Sequence, residues 1–290
     1  MATALIIGAS GTVGSQLVNE LDKDHAGLKV RLATRRADVA EQWRTQGREA
    51  VLLDLDRPEH FAKALEGIDR VFLLTGYTAH MLHQSKTFVD AAAQAGVAHI
   101  VHLGVFSAGR HDIPHYSWHE LIETYIEASG IAWTHLHPTV ITDTVLATVA
   151  ETGSFNVPWQ ESARGWVCAA DIAAVAAAVL RQGPDEHGGK NYWLSTELAT
   201  GSQVAKTLSE VLGSEITCSV SGPDDLAAYA SSVPSAAERL YMESAVATMR
   251  QTVLGNMGFE AVVHDDVQTV LGRPGTTMEQ WARENLGPRA

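Results

Sequence analysis

The segment LIIGASGTVGSQLV, residues 5–18, constrains the fold more than any other part of the chain. An apolar run stops at Gly8 and an amphipathic run starts at Gly11, with a third glycine at Gly14. Between a strand and a helix, the first glycine of such a turn bends the chain. The second lets the backbone approach a pyrophosphate, and the third lets helix and strand pack closely. The helix start then offers free N–H groups and the positive end of the helix dipole to the phosphates. Gly8, Ser10, Gly11, Thr12, Val13 and Gly14 therefore read as a dinucleotide cradle. A turn conserved in shape only for packing is the competing reading.

The rest of the first half fits that cradle. Short apolar runs at 4–8, 30–34, 50–54, 71–75, 99–104 and 132–137 alternate with helical patterns at 11–21, 37–44, 58–65, 80–94 and 116–129. Runs that lack strict alternation are buried on both faces, as parallel strands are. The expected class is α/β, a doubly wound parallel Rossmann sheet. Beyond Pro138 the alternation loosens into strand candidates at 153–158, 191–195 and 215–220, helices at 171–180 and 201–213, and a mostly helical end. This predicts a Rossmann domain over 1–152. Residues 153–290 would complete the sheet and form a small α+β C-terminal lobe for the substrate. Asp171 is expected to cap its helix.

The end of the second strand chooses the coenzyme. An NAD site offers a carboxylate to the ribose about 20 residues past the last glycine, whereas this chain has Thr34, Arg35 and Arg36. A guanidinium grips a 2′-phosphate that a carboxylate would repel. NADP(H) is the expected cofactor, with Arg35 as the gripping residue, Asp54 near the adenine, and Thr75 and Gly76 along the dinucleotide.

Charge narrows the partners. A net charge of −13 without a basic run is the wrong sign for a phosphate-backbone surface, so no nucleic-acid partner is expected. No apolar run approaches the roughly 18 residues of a membrane helix, and a cytoplasmic monomer or homodimer is expected. Cys168 and Cys218 have no CxxC partner and read as buried thiols, with no metal site.

The chain also resembles the NmrA-like group of atypical short-chain dehydrogenases/reductases. Carrying that resemblance are GASGTVGSQLV, VRLATRR, LDLDRPEHFAKALEGIDRVFLLTG, WHELIETYIEASGIAWTHLHP, GWVCAADIAAVAAAVL and TVLGRPGTTMEQWARENL, in that order over nearly the whole chain. The resemblance implies an NADP(H)-binding Rossmann fold whose C-terminal lobe closes over a substrate, with quinone and triphenylmethane-dye reductases among its members. Ordinary members of the wider superfamily use Tyr-x-x-x-Lys, the lysine lowering the tyrosine pKa. Here Tyr116 is present but Glu120 stands at the lysine position, and a carboxylate would raise the phenol pKa. The serine expected at the end of the fifth strand is replaced by Gly104.

Thirteen histidines offer other proton carriers, including His111, His115 and His119 at a spacing of four, and His80, His83, His102 and His137. Pro114 interrupts the first of those spacings, against a helical metal face. Tyr116 and His119 are the candidate catalytic residues, His119 as a donor near neutral pH. Phe106, Trp118, His137 and Trp159 are candidates for the substrate pocket. The expected function is hydride transfer from NADPH to a quinone or conjugated aromatic carbonyl, possible in secondary metabolism. Alternatives are a redox sensor that binds NADP without turnover and an accessory enzyme in oxidative tailoring of aromatic polyketides.

Overall fold

The computed structural model describes residues 1–24, 27–107 and 112–287; His111 lies outside them. Among the described residues one parallel sheet contains β1 (Ala2–Ile6), β2 (Leu28–Thr34), β3 (Ala50–Leu52), β4 (Arg70–Leu73), β5 (His99–Leu103), β6 (Ala132–Pro138) and β7 (Lys190–Leu194). Their spatial order is β3-β2-β1-β4-β5-β6-β7. The chain winds outward from β1 to β3, then crosses back to β4 and winds the other way. Adjacent connections therefore part between β1 and β4, which opens a crevice at the carboxyl ends of the strands.

Both faces of this sheet are covered, which is why its strands read as unbroken apolar runs. On one face Ala4, Ile6, Phe72 and Val101 meet the helices Thr12–Lys23 and Ala169–Gln182. Ala173, Ala176 and Ala177 of the second helix are fully buried, and their small side chains bring the two helices close. On the other face Leu5, Val71, Leu73 and Ile100 meet Phe88 of the helix Met81–Gln94 and Ile122 and Ile126 of the helix Pro114–Ala128.

A smaller lobe is built from later segments. Strands Val140–Ile141, Arg164–Val167 and Glu197–Ala199 form one small sheet, and Ser154–Val157 pairs with Thr217–Val220. Phe155, Trp159, Trp166, Leu208 and Trp281 fill its core. The strands at 164–167 and 197–199 are absent from the sequence expectation, because three or four residues are too few to show a period. The helix Ala236–Val253 returns from this region to the helix Pro114–Ala128. There the Ser244 hydroxyl accepts from the His115 backbone N–H at 2.9 Å and lies 2.8 Å from its Nδ1.

Asp171 does not cap its helix. Cys168 holds the N-cap position, and the Asp143 carboxylate accepts from the Ala169 N–H at 2.7 Å. Asp171 is fully buried and instead ties down the C-terminal segment, accepting from Thr276 and pairing with Arg273 at 2.8 Å. Both thiols are free, Cys168 buried and Cys218 only half-buried, so the expectation of two buried cysteines is corrected at Cys218. No helix among the described residues is long and apolar enough to cross a membrane.

Candidate active site

The glycine turn is shaped by steric necessity at two positions and left open at a third. Gly8 has φ +71°, and a Cβ there would touch Leu74 at 2.9 Å. A Cβ on Gly14 would lie 2.0 Å from the Gly8 carbonyl oxygen, so only glycine lets the first helix pack on β1. Gly11 differs. Its N–H closes the turn onto Gly8 O at 2.8 Å, and a Cβ would meet only that oxygen, at 3.3 Å. Gly11 is exposed, stands at the helix N-cap, and no side chain among the described residues caps the helix. Uncapped N–H groups behind a bare backbone are what a pyrophosphate requires, so these residues fit the dinucleotide.

In front of the turn lies a cleft of about 500 Å³ at the carboxyl ends of β1, β4, β5 and β6. Gly8, Gly11, Thr12, Val13 and Gly14 form its floor, and Leu74, Thr75, Gly76 and Tyr77 one wall. Leu103, Gly104, Val105 and His119 form another wall, with Thr139, Ile141, Val145 and Tyr241 closing the far end. The fold thus brings Gly8, Gly11, Thr12, Val13, Gly14, Thr75, Gly76 and His119 of the sequence candidates to one cavity.

The other candidates stand apart from this lining. Ser10 is exposed on the turn, and Arg35 is exposed at the end of β2 with no ion pair among the described residues. Arg36 is engaged with Asp38 at 3.2 Å. Asp54 turns into its own loop, accepting from the Asp56 N–H at 3.1 Å.

The aromatic candidates are dispersed. Trp159 is buried in the lobe core, under the Arg164 guanidinium. Trp118 packs on the apolar face of the sheet, and His137 stacks on Trp193 at 4.1 Å while bonding to Asn191 and the Val105 carbonyl. Phe106 lines a neighbouring compartment of about 170 Å³. The aromatics that do reach the cleft are Tyr77 and Tyr241, with ring centroids 5.4 Å apart, and Tyr77 is 64 % exposed. Sequence reasoning missed both, since they come from a loop and from a helix 164 residues later.

Tyr116 also faces the smaller compartment. Its hydroxyl donates to Glu260, which pairs with Arg164 at 2.7 Å. Burial, reinforced by the Glu260 carboxylate, holds this phenol well above its ordinary range. The carboxylate bonded to the Tyr116 hydroxyl is therefore Glu260, where the sequence suggests Glu120.

His119 is buried behind the cleft wall. Burial, with His115 and His137 nearby, pulls it down to about 3, so the ring is neutral at ordinary pH. It can donate a hydrogen bond but holds no extra proton near neutrality, which corrects the expectation of a donor titrating there. No group of three or more His, Cys, Asp or Glu side chains among the described residues is placed to hold a metal ion.

A doubly wound sheet with a glycine cradle at its switch point, and a lobe closing one end of the crevice, defines a dinucleotide-binding protein of the Rossmann class. The profile of the NmrA-like family matches residues 1–253, and the chain belongs to that family. It is 28 % identical over 286 residues to the NAD(P)H azoreductase of Xenophilus azovorans, covering 96 % of each chain. Two solved structures share the fold. The triphenylmethane reductase of Citrobacter sp. superposes with a TM-score of 0.80 at 24 % identity, covering 99 % of this chain and 100 % of that one. The NADPH-dependent quinone oxidoreductase of Escherichia coli, in complex with NADPH, gives 0.76 at 23 % identity, covering 97 % and 99 %.

Proposed function

We propose that this chain is an NADPH-dependent reductase that passes hydride to a flat, conjugated acceptor, either a quinone or an azo or cationic dye. The observation that carries the reading is a single cleft that holds a glycine cradle together with two adjacent tyrosine rings tilted by 55°, while the Tyr116 hydroxyl is engaged elsewhere. The activities named for the relatives support it.

Each residue has a stated task. The N–H groups behind Gly11 bind the pyrophosphate, and Arg35 pairs with the 2′-phosphate. Tyr77 and Tyr241 present ring faces on which a planar acceptor stacks. His119 offers its N–H to the acceptor heteroatom that gains negative charge. The bound nicotinamide supplies the hydride. Such acceptors are electron-poor, so the protein chiefly orients the reactants and excludes water.

Calorimetry with NADPH and NADH, followed by absorbance at the nicotinamide band with a panel of quinones and azo dyes, tests the proposal. NADPH uptake and acceptor-dependent oxidation are expected. Tight uptake with no oxidation against any of them would favour the NADP sensor, and no uptake at all would remove both readings.

A further inference from the structure

The sheet face beneath the helix Pro114–Ala128 holds imidazoles where apolar side chains would ordinarily pack. His102 of β5 and His135 of β6 are register partners, both fully buried, with ring centroids 5.4 Å apart. His102 is 6.1 Å from His119, which lines the cleft. At the other end His135 Nε2 lies 3.5 Å from a carboxylate oxygen of Glu127, whose side chain is 44 % exposed. The three rings and the carboxylate are successive neighbours between the cleft and the surface.

Most of the nitrogens on these rings have no hydrogen-bond partner among the described residues. Both nitrogens of His102, both of His135, and Nδ1 of His119 are buried without one. Elsewhere His187 bonds to Tyr192 and Gln182, and His137 to Asn191 and Val105, while His99 and His264 each leave one ring nitrogen without a partner among the described residues; only His102 and His135 leave both. An unsatisfied buried polar atom costs about 1–3 kcal/mol, and a phenylalanine would fill the same space without that cost. Packing alone gives no reason for histidine at these adjacent positions, and a path for protons would give one. A neutral imidazole has one N–H and one lone pair, so it can accept a proton on one nitrogen while releasing one from the other.

We infer that His119, His102, His135 and Glu127 form a proton relay that restores, from solvent, the proton consumed in each reduction. The inference rests on the reductase reading. A quinone that receives hydride gains two electrons and one hydrogen, leaving a hydroquinone monoanion, and NADPH becomes NADP⁺. His119 gives its N–H proton to that oxygen, breaking an N–H bond and forming an O–H bond. In the same concerted movement His119 takes a proton on its other nitrogen from His102, His102 from His135 and His135 from Glu127, which draws on solvent, so no ring passes through an anion. Every ring ends neutral with its proton on the opposite nitrogen and must turn back before the next cycle, and the sum is quinone, NADPH and one proton giving hydroquinone and NADP⁺. With ring centroids 5.4 and 6.1 Å apart, adjacent rings are neighbours without a direct hydrogen bond, so transfer along the file requires the rings to reorient toward one another. The titratable groups facing this file are His115, Glu120 and Glu123 of the overlying helix and His137 of β6.

The test uses the whole chain with NADPH and a water-soluble naphthoquinone. In His102→Phe and His135→Phe, NADPH affinity should stay unchanged by calorimetry. Turnover should fall by about tenfold or more, with proton uptake, followed by an indicator dye in weak buffer, now lagging nicotinamide oxidation. Glu127→Gln lies at the rim, where folding is not at stake. It should slow turnover by a smaller factor and recover with added imidazole. Independently of activity, NMR should find the buried His102 ring N–H exchanging with deuterated water far faster in wild type than in Glu127→Gln or His135→Phe.

Unchanged turnover and simultaneous proton uptake in both phenylalanine variants would overturn the relay while leaving the reductase standing. Wild type that reduces no acceptor would sink the reductase instead. The exchange measurement would then judge the file alone, and equally slow exchange in all three proteins would overturn it.

Discussion

The Gly11 and Gly14 positions, three residues apart, separate folding from ligand binding and can be tested as a pair. In Gly14→Ala the new Cβ would sit 2.0 Å from the Gly8 carbonyl oxygen, 2.7 Å from its carbon and 3.1 Å from the Ala9 Cα. All three are backbone atoms and cannot swing away. Ordinary contact starts near 3.4 Å, so helix and strand must part by more than an ångström. Alanine gains about 1 kcal/mol of helix propensity over glycine. Forced overpacking of this kind costs about 1–3 kcal/mol in ordinary cores, and backbone against backbone lies at or above the top of that range. The overpacking wins, with a net loss of about 2 kcal/mol or more, equivalent to a melting point roughly 4–8 °C lower for a chain of this size. Gly11→Ala places its Cβ 3.3 Å from the same oxygen and nowhere else, a strain of a few tenths of an ångström. At an N-cap that exchange costs under about 1 kcal/mol. The methyl group, however, occupies the space a phosphate oxygen needs. NADPH affinity should fall by about tenfold or more, about 1.4 kcal/mol. Differential scanning fluorimetry without ligand and calorimetry with NADPH read the two effects separately. A Gly11→Ala protein that binds NADPH like wild type, or a Gly14→Ala protein that melts like wild type, would refute the division of labour.

Three other outcomes follow from the same geometry. Arg35→Ala should lose about 10- to 100-fold of its preference for NADPH over NADH, the worth of one charge-assisted hydrogen bond. Arg36→Ala, whose guanidinium already pairs with Asp38, should change that ratio little, and titration of both coenzymes checks this. Tyr116→Phe should lower the melting point, because the buried Glu260 carboxylate loses a donor worth about 1–3 kcal/mol, while kcat stays within about twofold of wild type if the phenol takes no part in the chemistry. Burial holds His99 and His115 down to about 4 and His119 and His135 down to about 3, against 6.5 when unfolded. The unfolded chain therefore binds more protons between those limits, and stability present above pH 6.5 is lost as pH falls towards 4, by about 1.4 kcal/mol per pH unit for each proton. Glu123 acts oppositely. Burial raises it to about 8 from 4.5, so it costs stability as pH rises through that window, and Glu123→Gln should flatten the alkaline side of a melting-point profile.

Local features of the fold were legible because each rests on a short stretch of chain. The cradle declares itself in seven residues, and the parallel strands in runs that must be apolar on both sides. What the sequence could not show depends on meetings between distant segments. Tyr241 reaches the cleft only because the helix Ala236–Val253 folds back onto Pro114–Ala128. Glu260 meets Tyr116 from 144 residues away. The aromatic candidates Trp159 and Phe106 are large enough for a core or a pocket, and composition cannot tell which. Asp171 sits where a helix cap is expected, but the Asp143 carboxylate supplies that bond from another segment.

The histidine file shows where the boundary of sequence reading lies. The spacing of four that links His115 and His119 continues to Glu123 and Glu127, which places four titratable groups along one side of a helix. Trp133, His135 and His137 alternate with Thr134 and Leu136, so all three project from one face of β6. Both patterns are visible in the bare sequence. Their convergence is not, because it needs two further facts: that His102 and His135 are register partners across β5 and β6, and that the helix carrying His119 covers that face rather than the opposite one. A shift of one residue in the register would send His102 to the face lined by Ala169–Gln182, where it would meet alanines and no other imidazole. The sequence thus supplies the parts at the right periods, and strand pairing together with the placement of the helix brings separate buried histidines side by side.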